Sequence, residues 1–123
     1  MGKYADPAFY DAAFNTFKTA AGTVTQTLTS AQPANFAGIA AVKLASVTLD
    51  KTNDITLANG DTSGRKMTIA AKSAVPVTAS GTATYVVIDN GTTIFVTTTA
   101  STAVASGGTV DIGTWKDEIQ APA

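Results

Sequence analysis

Residues 82–99 hold two β-branched runs on either side of an Asn-Gly pair, and apolar positions alternate through both. Asn90-Gly91 predicts a hairpin with a two-residue loop, because a type I′ turn needs positive φ at both central positions. That register sets Asp89 against Thr92, Val87 against Ile94, Val86 against Phe95 and Tyr85 against Val96. Alternate residues point to opposite faces of a strand. One face therefore carries Tyr85, Val87, Ile94 and Val96, and the other Val86, Ile88 and Phe95. Both faces are apolar, which predicts cover on both sides. One cover is the domain's own core; the other is a second layer or a neighbouring subunit.

The pattern before the hairpin changes period once. Asp6 reads as a helix N-cap and Pro7 as the first helical position, and the helix is expected over residues 7–20, stopping before Gly22. Its apolar residues form two stripes, Phe9–Ala13–Phe17 and Tyr10–Phe14–Phe17, at spacings of three and four. One reading packs this face on a sheet; the other docks part of it on a partner. From residue 23 the period becomes two. Val24, Gln26 and Leu28 alternate with threonines over 23–29, which predicts an edge or half-exposed strand. Residues 30–43 form a connection in which Phe36, Ile39 and Val42 tuck inward. Strands are expected over 44–49, 54–58, 66–72, 75–79 and 109–112. Pro76 cannot donate to a ladder, so its strand belongs at an edge. Residues 100–106 read as looser chain, and Trp115 stands alone near the C-terminus. The fold class is therefore mainly β: an antiparallel β-sandwich or barrel-like domain with one short N-terminal α-helix. It divides into an arm (1–5), the helix (6–20), the β-domain (23–119) and a tail (120–123).

Composition removes most chemistry. The 123 residues suit a single domain, and 23 alanines and 22 threonines dominate it. There is no cysteine and no histidine. Disulfides, thiolate nucleophiles and Cys-based metal sites are thereby excluded, and the usual neutral-pH general base is missing. The expectation is no enzyme, no cofactor and no metal site. Eight basic and nine acidic residues give a net charge of −1 without a basic stripe, which argues against nucleic acid as a partner. No apolar run is long enough for a membrane span, so no membrane contact is expected. Residues 1–7 hold no hydrophobic signal core, so the expected site of synthesis is a cytoplasm. The loop 59–66 places Gly60 and Gly64 before Arg65-Lys66, the one adjacent basic pair. Its spacing does not meet the phosphate-loop pattern. The two glycines instead read as suppliers of positive φ in a tight turn, and the basic pair as a match for an acidic patch on a partner. Asn90-Gly91-Thr92, formally a glycosylation sequon, is read as the turn alone.

Several segments in order carry a resemblance. Tyr4-Ala5-Asp6 leads into the helix, and Gly60–Lys66 reads Gly-Asp-Thr-Ser-Gly-Arg-Lys ahead of Met-Thr-Ile-Ala-Ala-Lys-Ser. Thr78-Ala79-Ser80-Gly81-Thr82-Ala83, a Val-Thr-Thr strand, and Trp115 ahead of Glu118-Ile119 complete the set. Across residues 4–119 the chain resembles small virion structural proteins of tailed bacteriophages, encoded close to the major capsid protein. The resemblance implies a capsid decoration (cement) protein on the head exterior, binding the major capsid protein as a homo-oligomer, dimer or trimer. Candidate partner contacts are Tyr4, Phe9, Tyr10 and Trp115, with Arg65 and Lys66. The alternatives are a neck, collar or tail position in the virion, and a carbohydrate-binding or adhesin module.

Overall fold

A computed structural model describes residues 4–121; the outermost residues of the expected arm and tail, 1–3 and 122–123, lie outside them. The helix forms as Pro7–Lys18 (α1), with the Asp6 carboxylate accepting the Ala8 N–H at 3.2 Å. It ends at a Thr19 C-cap, short of the expected stop, where the Thr19 hydroxyl donates to the Asn15 carbonyl. Nine strands follow among the described residues. They are β1 (Val24–Thr29), β2 (Lys43–Leu49), β3 (Ile55–Asn59), β4 (Arg65–Ile69), β5 (Lys72–Pro76), β6 (Gly81–Asp89), β7 (Ile94–Val104), β8 (Thr109–Ile112) and β9 (Trp115–Ile119).

These strands build a mainly β, sandwich-like domain that does not close into a barrel. One layer is an antiparallel sheet in the order β2-β1-β6-β7. Facing it are the sheet β3-β4-β9 and the ribbon β5-β8. The ribbon is tied to β2 by an Ala45–Val77 bridge and by the Thr78 N–H on the Leu44 carbonyl at 2.8 Å. Between the layers lie two apolar clusters. In the first, Phe14 and Phe17 of α1 meet Val24, Leu49, Ile55, Met67, Ile69 and Ile88. The second holds Leu28, Leu44, Ala45, Val75, Val77, Ala83, Val86 and Ile112. Trp115 touches both.

The central hairpin forms with a register two residues away from the expected one. Asp89 pairs with Ile94, Ile88 with Phe95 and Val87 with Val96, so residues 90–93 make the loop. The cause is local. The Asn90 side-chain carbonyl accepts the N–H groups of Thr92 (3.1 Å) and Thr93 (2.8 Å). This side-chain turn displaces the type I′ turn, and Gly91 alone takes positive φ, at 97°. A slip of two leaves every side chain on its expected face, because the strand period is two. β7 then runs on through residues expected to be loose, with Thr99–Ser101 bulged opposite Thr84.

The largest departure concerns β1, expected at an edge. It is an interior strand between β2 and β6. Its outward threonines are not wet: Thr27 is 2% exposed and Thr29 is fully buried. The connection after β1 covers them. It forms a 3₁₀ turn at Phe36–Gly38 and a single helical turn at Ile39–Val42 (α2). Ile39 tucks inward as expected, whereas Phe36 stays 42% exposed. On the hairpin's second face Val87 is fully buried, while Tyr85, Ile94 and Val96 are half-buried.

Candidate interaction surface

The two stripes of α1 share Phe17, and their other residues have opposite fates. Tyr10, Phe14 and Phe17, at i, i+4 and i+7, are buried. Phe9 and Ala13 face solvent, and Phe9 is 73% exposed. Tyr4 on the arm is 80% exposed. The aromatic stripe that packs is therefore the one through Tyr10, and Tyr10 is not free to meet a partner as expected. Its ring meets Phe9 edge-on at 6.0 Å. Its hydroxyl is buried without a hydrogen-bond partner among the described residues.

Arg65 holds this helix in place. Its Nε and Nη2 donate to the two carboxylate oxygens of Asp11 at 2.9 and 3.2 Å, and Nη1 donates to Asn59 at 3.0 Å. Both side chains of the ion pair are about four-fifths buried. A two-pronged guanidinium–carboxylate pair fixes orientation as well as distance. Tyr4, Pro7, Tyr10, Gly64 and Arg65 converge on a depression of about 240 Å³. The structure therefore gathers three expected contact residues, with Phe9 on the next helical position.

Lys66 is engaged elsewhere. Its ammonium lies 2.7 Å from the Asp61 carboxylate, which also bonds Lys116. The Lys116 and Lys66 hydrogen bonds hold the Asp61 carboxyl down to about 2. The basic pair that sequence spacing offered to an acidic partner is thus matched by acids of the same chain, Asp11 and Asp61. The loop itself needs its glycines for two reasons. Gly64 has φ of 67°. Gly60 lacks the expected positive φ, but a Cβ there would overlap the Ser63 carbonyl oxygen.

Trp115 opens β9 instead of standing alone. Its ring stacks on Phe95 at 5.8 Å with planes 6° apart. Its indole N–H donates to Gln26 Oε1 at 2.7 Å. Gln26 is fully buried on the inward face of β1, with Nε2 unpartnered among the described residues. Trp115 is half-buried and ties the two layers together, while its free edge lines a shallow hollow with Lys66, Thr68 and Lys116.

Two features escaped the sequence pattern. Phe36 opens the 3₁₀ turn and stays exposed on the wall of an open hollow against the sheet; the apolar spacing of the connection carries no signal of that turn. Asp89, read as a turn residue, is 6% exposed. Burial pushes its carboxyl above the ordinary range, opposed by the Gly91 N–H. Among the described residues no three potential metal ligands come together, and no helix is long and apolar enough to cross a membrane. No protein-family model, curated protein or solved structure matches the chain.

Proposed function

We propose that this protein is a non-enzymatic virion structural protein, a capsid decoration protein that binds the outer head shell and bridges neighbouring capsid subunits. The observation that carries the reading is the pair of aromatic rings held in solvent, Tyr4 on the arm and Phe9 on a helix that is itself locked to the domain. Exposed large apolar groups beside a polar rim are what a partner surface offers. Locking matters because a rigid helix loses little conformational freedom on binding. The ordered segments that resemble phage virion proteins supply the partner, the major capsid protein. A stable clamp of this kind buries about 1,200–2,000 Å² in each interface.

The test is the copy number of this chain relative to the shell protein, by quantitative mass spectrometry of purified particles. A simple stoichiometric fraction supports shell decoration. A few copies per particle move the protein to the neck or tail, and absence from particles refutes any virion role. Within the decorated particle, replacing both Tyr4 and Phe9 by Ala is expected to release the protein while leaving its far-UV dichroism unchanged. Retained binding by the folded variant removes these rings from the interface.

A further inference from the structure

The outer face of the β2-β1-β6-β7 sheet holds an open cleft with a polar floor and an apolar wall. The 30–43 connection arches over β1 and β2 and leaves an open space of about 310 Å³. Phe36 and Ile39 form one wall. The floor is set by register: Thr25 pairs with Asp89 and Thr27 with Ser46, so all four side chains share that face. Asp89 is more than nine-tenths buried yet lines the cleft. One of its carboxylate oxygens accepts the Gly91 N–H at 3.0 Å. The other receives no hydrogen bond among the described residues, and Asp89 makes no ion pair there.

We propose that this cleft is a socket for one lysine or arginine side chain of a partner polypeptide. A carboxylate largely withdrawn from water keeps its charge best beside a cationic donor, and the second oxygen of Asp89, not fully enclosed, is free to accept one. Phe36 and Ile39 match the methylene stem of such a side chain, which prefers to lie along apolar surface. The hydroxyls of Thr25, Thr27 and Ser46 offer acceptors for the N–H groups that Asp89 leaves over. An anion is refused by the carboxylate. A metal ion finds a single carboxylate there. Lys43, exposed at the cleft's other end and unpaired among the described residues, is the internal competitor. The socket serves whichever chain this protein meets, so its failure leaves the shell placement untouched.

The experiment is a ¹H–¹⁵N titration of the whole protein with N-acetyl-arginine methylamide and N-acetyl-lysine methylamide, to about 50 mM. That range lies well above the millimolar affinity one ionic pair supplies. The uncharged norleucine analogue is the control. At least one cationic probe is expected to shift the amides of Thr25, Thr27, Ser46 and Gly91 saturably. Asp89→Asn, nearly the same shape, is expected to weaken binding about tenfold or more, with the norleucine analogue weaker by a similar factor. Phe36→Ala, at an exposed position, is expected to weaken it about threefold through the lost wall. The proposal is overturned by no saturable shift in the wild type, by less than a fivefold effect of Asp89→Asn, or by equal binding of the norleucine analogue.

Discussion

Replacing Trp115 by Phe isolates a hydrogen bond that joins the two layers through the core. The indole N–H reaches the oxygen of a fully buried glutamine. Phe keeps an aromatic ring for Phe95 to stack on but donates nothing. A buried acceptor left unpaired costs about 1–3 kcal/mol. Shrinking the ring where both apolar clusters meet adds about 1 kcal/mol. The sum, about 2–4 kcal/mol, is a large part of the 5–15 kcal/mol that holds a domain together, and corresponds to a drop in Tm of about 10 °C. Urea unfolding followed by far-UV dichroism measures it; fluorescence does not serve, because Trp115 is the only tryptophan. The decisive step is a double-mutant cycle. Adding Gln26→Leu to the Trp115→Phe variant removes the orphaned acceptor together with the already unpartnered Nε2. It is expected to restore about 1–2 kcal/mol. The reasoning is refuted if Trp115→Phe lies within about 0.5 kcal/mol of wild type, or if the two substitutions simply add.

Gly64→Ala is expected to lower the urea midpoint far more than Gly91→Ala. Both glycines have positive φ, but a Cβ at Gly64 would overlap the Ile119 carbonyl oxygen, whereas nothing lies within 4 Å of one at Gly91. The first substitution should cost more than about 2 kcal/mol and the second about 1 kcal/mol, the left-handed strain alone. Asp89→Asn should stabilise the protein at pH 7. Burial raises the folded-state pKa of Asp89 above 3.8, so the folded protein holds that proton more tightly than the unfolded chain does. Its ionised form therefore subtracts stability at neutral pH, and the deficit vanishes as pH falls through the raised value to below 3.8. Thermal melts of the two proteins should accordingly differ at pH 7 and converge in acid; a wild type more stable than the variant at pH 7 contradicts the burial argument.

Asp89 and the exposed aromatics show how a domain keeps features that do not serve its own stability. A buried carboxylate with a spare oxygen, and aromatic rings left in water, are local departures from the rules the rest of the chain obeys. Such departures concentrate where a protein meets something else. The Arg65–Asp11 and Lys66–Asp61 pairs are the opposite case: charges that looked available in the sequence are consumed within the fold.

Whatever depends on neighbours along the chain is legible in the residues alone. The switch from a helical to a two-residue period, the Asp6 cap with Pro7, and the inward set Val24, Gln26 and Leu28 are of this kind, because propensity and alternation act over a few residues. The hairpin keeps its expected faces despite its different register, since a slip of two cannot exchange them. Packing across the molecule settled the rest. It buried Tyr10 and Phe14 while leaving Phe9 and Ala13 in solvent, and it set β1 inside the sheet under the 30–43 connection. It also gave Trp115 a glutamine 89 residues away as its partner. The candidate surface divides in the same way. Aromatic identity at Tyr4, Phe9 and Tyr10 is written in the chain, but which ring stays in solvent depends on how α1 rests on β3 and β4. Burial is a property of what lies across the core, and no local pattern encodes that.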